Sequence, residues 1–364
     1  MKRLVPDSTL TGEDAAPRIV AELIERAERL GASDVHLQML GKSAEVSFRL
    51  DGVMAPPSSL PEAVAERVFG RIKFLARLKT YQESLPQDGR IDKADAHSTQ
   101  DIRVATYPTV TGEKIVLRFF NDSTARTLDE LELDTAVRTE LEKFLRQTSG
   151  LMLLTGPAGS GKTTTIYACL RFLAAQHGRH IITIEDPVEQ ILPSVMQTEV
   201  NEARGLTFAK AARHLLRQDP QVLVLGEIRD EETANLAVRA ALTGHLVIST
   251  LHAGSCRGVF ERLQVMCADP FAVASAVELV LNQRLVRCVC RACDGAGCDA
   301  CLQTGFRGRV PIVEWTRMTD SLRAGLRLRE PLALTPTHSL EDAGRELVSR
   351  GVTNETELIR IFGL

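Results

Sequence analysis

The sequence predicts an α/β protein in two parts: a small α+β domain, then a larger domain built on a buried parallel sheet and closed by a helical C-terminus. Three observations carry this. From about Leu151 onward, short apolar runs alternate with longer amphipathic stretches: LMLLTG, IITIED, QVLVLGE and HLVISTLH. Each run ends in polar or small residues, the pattern of buried parallel strands joined by crossover helices. The first 120 residues lack that texture and read instead as short strand pairs around turns, with two helices. Finally, 364 residues suit two or three domains, at roughly 100–200 residues each. A composition of 44% hydrophobic and 25% charged residues can build real cores.

In the N-terminal domain (1–120), residues 15–30 carry apolar side chains at helical spacing, with a charged opposite face, and Gly31 stops the helix. Strand-like runs follow at 34–39 and 44–50, the second ending in the turn Asp51-Gly52. A Pro/Ser loop leads into a helix over 62–79. Strands at 102–106 and 114–119 flank the turn Pro108-Thr109-Val110-Thr111-Gly112. Asn121 onward is polar and carries no clear period, so 121–145 is read as a linker. The remainder, 146–364, is the larger domain, containing a cysteine loop at 288–308 and a helical region at 320–364.

Within the larger domain, Gly156-Pro157-Ala158-Gly159-Ser160-Gly161-Lys162-Thr163 matches the P-loop pattern G-x-x-x-x-G-K-[ST], with Thr164 following. The glycines let successive N–H groups turn around a phosphate. Lys162 supplies charge to the β- and γ-phosphates of a nucleotide such as ATP, and the Thr163 hydroxyl can ligate Mg²⁺. A strand at 151–154 before the loop and a helix from Thr163 to about Ala175 after it supply the required context, and the helix N-terminus adds its dipole.

Two more apolar strands end in acids. The run Ile181 to Glu189 ends in Glu185 and Asp186, with Pro187 closing the strand. The run Gln221 to Asp230 carries Gly226-Glu227 where a Walker B Asp is usual, and Glu227, one methylene longer, suits contact through a metal-bound water. In a doubly wound sheet, ligands sit at the carboxyl ends of strands. His245 and His252 bracket a strand at 246–251, placed to report the state of a γ-phosphate to a neighbouring element.

Cys290, Cys293, Cys298 and Cys301 form C-x₂-C-x₄-C-x₂-C, with Gly295 and Gly297 permitting the reversal between the pairs. Two such pairs complete a closed tetrahedral S₄ site for Zn²⁺, structural because no position stays open. It can contribute on the order of 10 kcal/mol of local folding free energy. Cys288 is spare, and Cys169, Cys256 and Cys267 read as small buried hydrophobes.

Composition excludes other classes. Lys plus Arg is 44 against 47 Asp plus Glu, a net charge of −3 with 4% aromatics; this disfavours a polybasic or base-stacking nucleic-acid binder. Only nine of the basic residues are Lys. No apolar run reaches the ~18–20 residues of a membrane span. MKRLVPDSTL has no apolar stretch after its charges, so a signal peptide is not expected. The expected location is cytoplasmic.

Taken together, these motifs resemble the secretion and type IV pilus assembly ATPases, the GspE and PilB group, over about residues 31–315. The resemblance runs through ordered blocks: Ser33-Asp34-Val35-His36-Leu37, Leu85-Pro86-Gln87-Asp88-Gly89-Arg90, Asp101-Ile102-Arg103-Val104 and Gly112-Glu113-Lys114-Ile115-Val116-Leu117-Arg118. The P-loop, Thr183 to Glu189, Leu216-Arg217-Gln218-Asp219-Pro220, Gly226 to Asp230 and Leu242-Thr243-Gly244-His245-Leu246 come next. Last are Ser249-Thr250-Leu251-His252, Gln283-Arg284-Leu285-Val286-Arg287 and the cysteine loop.

The resemblance implies a RecA-like ATPase domain behind a PAS-like N-terminal domain. It gives Glu185 the positioning or activation of the attacking water, Glu227 the Walker B role, His252 and His245 the His box, and Arg103 and Arg118 the reach to phosphate from the N-terminal domain. It also implies a homo-hexamer that hydrolyses ATP, peripheral at the inner membrane, moving pilin or pseudopilin subunits through a platform protein. Many relatives carry an extra N-terminal domain that docks on a membrane-anchored partner; here only about 30 residues precede the first block. Pilus retraction is the alternative reading, and the cysteine loop argues against it because the retraction branch resembles this core without one. A nucleic-acid motor is the alternative from a different class.

Overall fold

The computed structural model describes residues 15–119, 126–176, 178–328, 336 and 338–363. It divides the chain into two units, Met1–Ser123 with Arg287–Arg309, and Thr124–Val286 with Val310–Leu364.

The first unit begins with α1 (Ala15–Leu30), where Ile19, Val20, Leu23, Ile24 and Ala27 form one buried stripe. Gly31 takes φ +67°, and the Ala32 N–H turns back to Ala27 O at 2.8 Å, ending the helix. β1 (Asp34–Met39) and β2 (Ser43–Leu50) form an antiparallel hairpin with Asp34 opposite Arg49. β3 (Val53–Met54) and β4 (Ser58–Pro61) both pair with β2. α2 (Glu62–Leu75) stops short of the expected residue 79, because Arg77 takes φ +58° and the Leu78 N–H bonds Lys73 O at 2.9 Å. β5 (Gln87–Ile91), α3 (Lys93–Ala96), β6 (Ile102–Thr109) and β7 (Gly112–Phe119) complete the unit. Strand order is β3-β2-β1-β7-β6-β5, with neighbouring strands antiparallel and β4 off the path on β2. Phe48, Leu37, Ile115 and Leu117 are fully buried between sheet and helices. Lys73 Nζ lies 3.1 Å from both carboxylate oxygens of buried Glu113.

Arg287–Arg309 groups with this first unit, whereas the expected division counted 288–308 with the larger domain. The reason is packing. Leu302 is buried in the same core as α1, β1 and β2. The Gly308 N–H donates to Asp51 Oδ2 at 2.8 Å, and Arg309 faces Asp51 Oδ1 at 3.7 Å.

The second unit opens on α4 (Thr135–Leu145), inside the stretch expected to be linker. Asp134 caps it by accepting from the Ala136 N–H, and Val137, Leu141, Phe144 and Leu145 bury one face. Residues 121–125 of that stretch lie outside the described residues. Then follow β8 (Gly150–Thr155), α5 (Lys162–Ala175), β9 (Ile181–Glu185) and β10 (Met196–Glu199). Next are α6 (Phe208–Leu215), β11 (Val222–Ile228), α7 (Glu231–Leu242) and β12 (Leu246–Leu251). The chain continues through α8 (Cys256–Met266), α9 (Pro270–Ala276), β13 (Val277–Val289) and β14 (Phe306–Arg317).

The sheet order is β10-β9-β11-β12-β8-β13-β14, and β10 through β13 run parallel. Every residue of β8, β9 and β12 is buried, as their unbroken apolar runs require. β14 returns beside β13: Met318 N–H bonds Glu278 O at 3.0 Å, and Cys290 N–H bonds Gly305 O at 2.9 Å. The helical end comprises α10 (Asp320–Leu328), α11 (Leu340–Ser349) and α12 (Glu355–Phe362). Of the expected helical region, 329–335, 337 and 364 lie outside the described residues.

Candidate nucleotide site and metal centre

β8 delivers the chain into the glycine loop, and α5 starts at Lys162. Gly156 and Gly161 hold φ of +140° and +86°, conformations only glycine adopts without strain. Lys162 Nζ is tethered by Gly156 O at 2.9 Å and Pro157 O at 3.0 Å, so its charge is folded back over the loop. Burial lowers its pKa from the ordinary lysine value, opposed by the charge of Glu227. Pro157, Ala158 and Gly159 are exposed, Ser160 is buried, and Lys162, Thr163 and Thr164 are half-buried on the first turn of the helix.

Because β8, β9, β11 and β12 are parallel, their carboxyl ends share one edge of the sheet. A cavity of about 270 Å³ opens there, lined among others by Lys162, Thr163, Glu185, Glu189, Glu227, Arg229 and His252. Glu227 is held from two sides: His252 Nε2 lies 2.9 Å from Oε1, and Arg229 Nε donates to Oε2 at 3.0 Å. Arg229 also reaches Asp186 at 3.5 Å and stacks over Phe208. One guanidinium thus ties the acids leaving β9 and β11.

Glu185 lines the same cavity but is enclosed, at 8% exposure. Its Oε1 accepts from the Thr183 hydroxyl at 2.5 Å and from Gln197 Nε2 at 3.0 Å, and its Oε2 accepts from the Tyr167 hydroxyl. Burial and the bond to Glu185 both raise the Tyr167 phenol, which stays protonated and donates. The same phenol oxygen accepts the N–H groups of Glu189 and Gln190 at 3.2 Å each. The network therefore fastens the segment after β9, which carries Glu189 into the cavity that Thr163 also lines. Burial and the charge of Glu185 raise the Glu189 pKa, and the Thr163 bond opposes that rise.

His245 stands apart. It precedes β12 at the amino end, seven residues before His252 and so about 23 Å away along an extended strand at ~3.3 Å per residue. Its Nδ1 lies 2.9 Å from Ala240 O and 3.2 Å from Thr243 Oγ1, at the end of α7. The structure does not bring it to the nucleotide cavity. Arg103 and Arg118 belong to the first unit, directly opposite each other on β6 and β7. Arg118 Nε donates to buried Asp34 Oδ1 at 2.9 Å. The residues that sequence reasoning gave no role are Tyr167, Glu189, Arg229 and Gln283. Glu189, Arg229 and Gln283 lie inside the family-like blocks, where their residue types alone assign no role; the Tyr167 phenol sits on a helix whose apolar positions masked it.

The four cysteines come together as the spacing implied, with all sulfurs within 4.8 Å of one another. The separations are 3.9 Å for Cys290 to Cys298, 3.9 Å for Cys293 to Cys301 and 3.7 Å for Cys298 to Cys301. Two thiolates bound tetrahedrally at ~2.3 Å stand about 3.8 Å apart, so the donor set fits a metal of zinc's size.

A P-loop, an acid clamp at the strand ends and a tetracysteine loop now stand in one chain. The model of a family described as type II/IV secretion system protein matches residues 9–360. The chain belongs to that family. It is 40% identical to type II secretion system protein HxcR of Pseudomonas aeruginosa, covering 98% of this chain and 80% of the relative. It is 35% identical to type II secretion system ATPase E of Vibrio cholerae, covering 98% and 77%. Among solved structures, the ATPase DotB of Legionella pneumophila superposes with a TM-score of 0.72 at 20% identity, over 99% of this chain and 98% of that one. The pilus retraction motor PilT with bound ADP gives 0.62 at 25% identity, over 93% and 96%. The fold is that of the RecA-like secretion ATPases, and this secretion-family protein is an ATPase motor, as the ordered blocks implied. Among the described residues, no helix is long and apolar enough to cross a membrane.

Proposed function

We propose that this secretion ATPase works as a homo-hexamer at the inner membrane, held there through partners, and drives pilin or pseudopilin subunits through a platform protein. The observation that carries the chemistry is the clamp on Glu227 by His252 and Arg229, in one cavity with Lys162 and Thr163. The sequence likeness to type II secretion proteins over nearly the whole chain supports the machine.

In this reading the P-loop amides and Lys162 bind the phosphates of ATP. Thr163 and Glu227 hold Mg²⁺, which neutralises charge on the phosphates. γ-Phosphate transfer to water needs an oriented nucleophile and neutralisation of spreading charge. Glu185, saturated with donors, acts as a positioning carboxylate: it fixes Tyr167 and the segment bearing Glu189. His252 and Arg229 hold Glu227 in place. Arg103 and Arg118 are the cations proposed to reach phosphate from the first unit. The cysteines hold structural Zn²⁺.

The test is ATP turnover by the full chain, with Lys162→Ala as the blank, alongside the oligomer mass with and without a non-hydrolysable ATP analogue. Hexamers whose turnover Lys162→Ala abolishes support the reading. Strong stimulation by DNA, or a monomer in all nucleotide states, sinks it.

A further inference from the structure

We propose that Gln283 is a positioning residue of the nucleotide loop: its side-chain amide sets the direction of the peptide joining Ser160 to Gly161. The inference rests on the reading of this loop as the phosphate cradle of ATP.

β13 lies beside β8 in parallel, with Asn282 opposite Thr155. Gln283 is therefore level with Gly156, the first residue of the loop. Gln283 is 3% exposed, and both ends of its amide are used. Nε2 donates to Ser160 O at 2.7 Å, and Oε1 accepts from the Thr165 hydroxyl at 2.9 Å. A backbone carbonyl only accepts, so the NH₂ must face Ser160 and the amide has one usable orientation.

A trans peptide carries its C=O and N–H on opposite sides. Pinning Ser160 O on β13 therefore turns the Gly161 N–H away from β13. Inward-turned N–H groups are what a glycine-rich loop offers a phosphate. Gln283 also accounts for two glycines of the motif beyond their φ values. A Cβ at Gly161 would lie 2.8 Å from Gln283 Nε2, and one at Gly156 would lie 2.3 Å from Gln283 O. Thr165, in turn, sits on the first turn of α5, where its N–H bonds Gly161 O at 3.0 Å. The amide thus bridges the loop and the helix that follows it.

The experiment uses the full chain with Mg²⁺ and a fluorescent ATP analogue, recording Kd, kcat, KM and the melting temperature without nucleotide. Gln283→Met keeps the length of the side chain and removes both hydrogen bonds. Expected is a Kd and KM about ten- to a hundredfold higher, the size of one or two buried hydrogen bonds lost, with a smaller change in kcat. Gln283→Glu, which sets a carboxylate against Ser160 O, is expected to bind more weakly still. Thr165→Val is expected to shift Kd in the same direction, and adding it to Gln283→Met to cost little more. A Kd of Gln283→Met within about twofold of wild type, while Lys162→Ala fails to bind, overturns the proposal alone. Tight binding by Lys162→Ala instead overturns the phosphate-cradle reading beneath it. A lowered melting temperature with unchanged Kd marks Gln283 as merely structural and also overturns the proposal. Should Gln283→Met not fold, Thr165→Val decides by the same criterion.

Discussion

Replacing Tyr167 with Phe deletes a single oxygen and keeps the ring beneath Arg171. That oxygen donates to Glu185 and accepts from the N–H groups of Glu189 and Gln190, on a residue only 4% exposed. The bond to a carboxylate contributes about 1.5–3 kcal/mol, and each orphaned N–H costs about 1 kcal/mol more, less whatever water can repair. A net loss of about 3 kcal/mol follows. At roughly 2–4 °C per kcal/mol for a unit of this size, the melting temperature should fall by about 6–12 °C. Turnover should fall too, because the freed segment carries Glu189, and kcat should drop more than nucleotide affinity, since Lys162 and the loop amides are untouched. Thermal melting of the nucleotide-free chain and steady-state ATPase kinetics at neutral pH measure both. A melting temperature within about a degree of wild type, with kcat within about twofold, would refute the account of Tyr167 as the fastener of this site.

Arg118→Ala should still bind ATP but lose turnover, by up to ~10³–10⁵ if it acts as an arginine finger in the oligomer; unchanged turnover removes that role. Glu227→Gln should retain nucleotide binding and lose hydrolysis, read by binding and turnover on the same sample. Cys290→Ser with Cys301→Ser should abolish metal content, expected at one zinc per chain by elemental analysis, and expose 287–309 to protease. His36 gives a pH test. Burial, with the charges of Arg49 and Lys114, lowers its pKa below the ordinary imidazole value. The unfolded chain then binds the extra proton more readily, so His36 adds stability above the ordinary value that is lost as pH falls toward the lowered one. His36→Gln should flatten that slope in melting curves taken across the window.

The site-bearing sheet was legible because buried parallel strands need unbroken apolar runs: β12 coincides with the expected 246–251. The P-loop and cysteine spacings were legible because their chemistry fixes the intervals. β5 was not, since Gln87-Asp88-Gly89-Arg90 offers no apolar run; its place follows from pairing with β6 and from Gly89, whose Cβ would lie 2.6 Å from Ala76 O. α4 was hidden because the polar stretch before it set the reading, although Val137, Leu141, Phe144 and Leu145 recur at helical steps. In the site, residue types could be assigned but not enclosure. Nothing local distinguishes Glu185, saturated by Tyr167, Thr183 and Gln197, from Glu189 beside Thr163. That difference is made by donors twelve and eighteen positions away. The separation of His245 from His252 likewise follows from strand length, not from residue type.

The placement of Leu302 in the core of the first unit bears on biosynthesis. All of Thr124–Val286 must leave the ribosome between Ser123 and the segment that carries Leu302. At ~5–20 residues per second that interval is on the order of ten seconds or more. During it the nascent first unit lacks one of its own core side chains, while the complete set of P-loop strands from β8 to β12 is already available to fold. A fragment ending at Ser123 would stay in that unfinished state, so the N-terminal unit should be handled with residues 287–309 supplied, not as a free-standing stretch of chain.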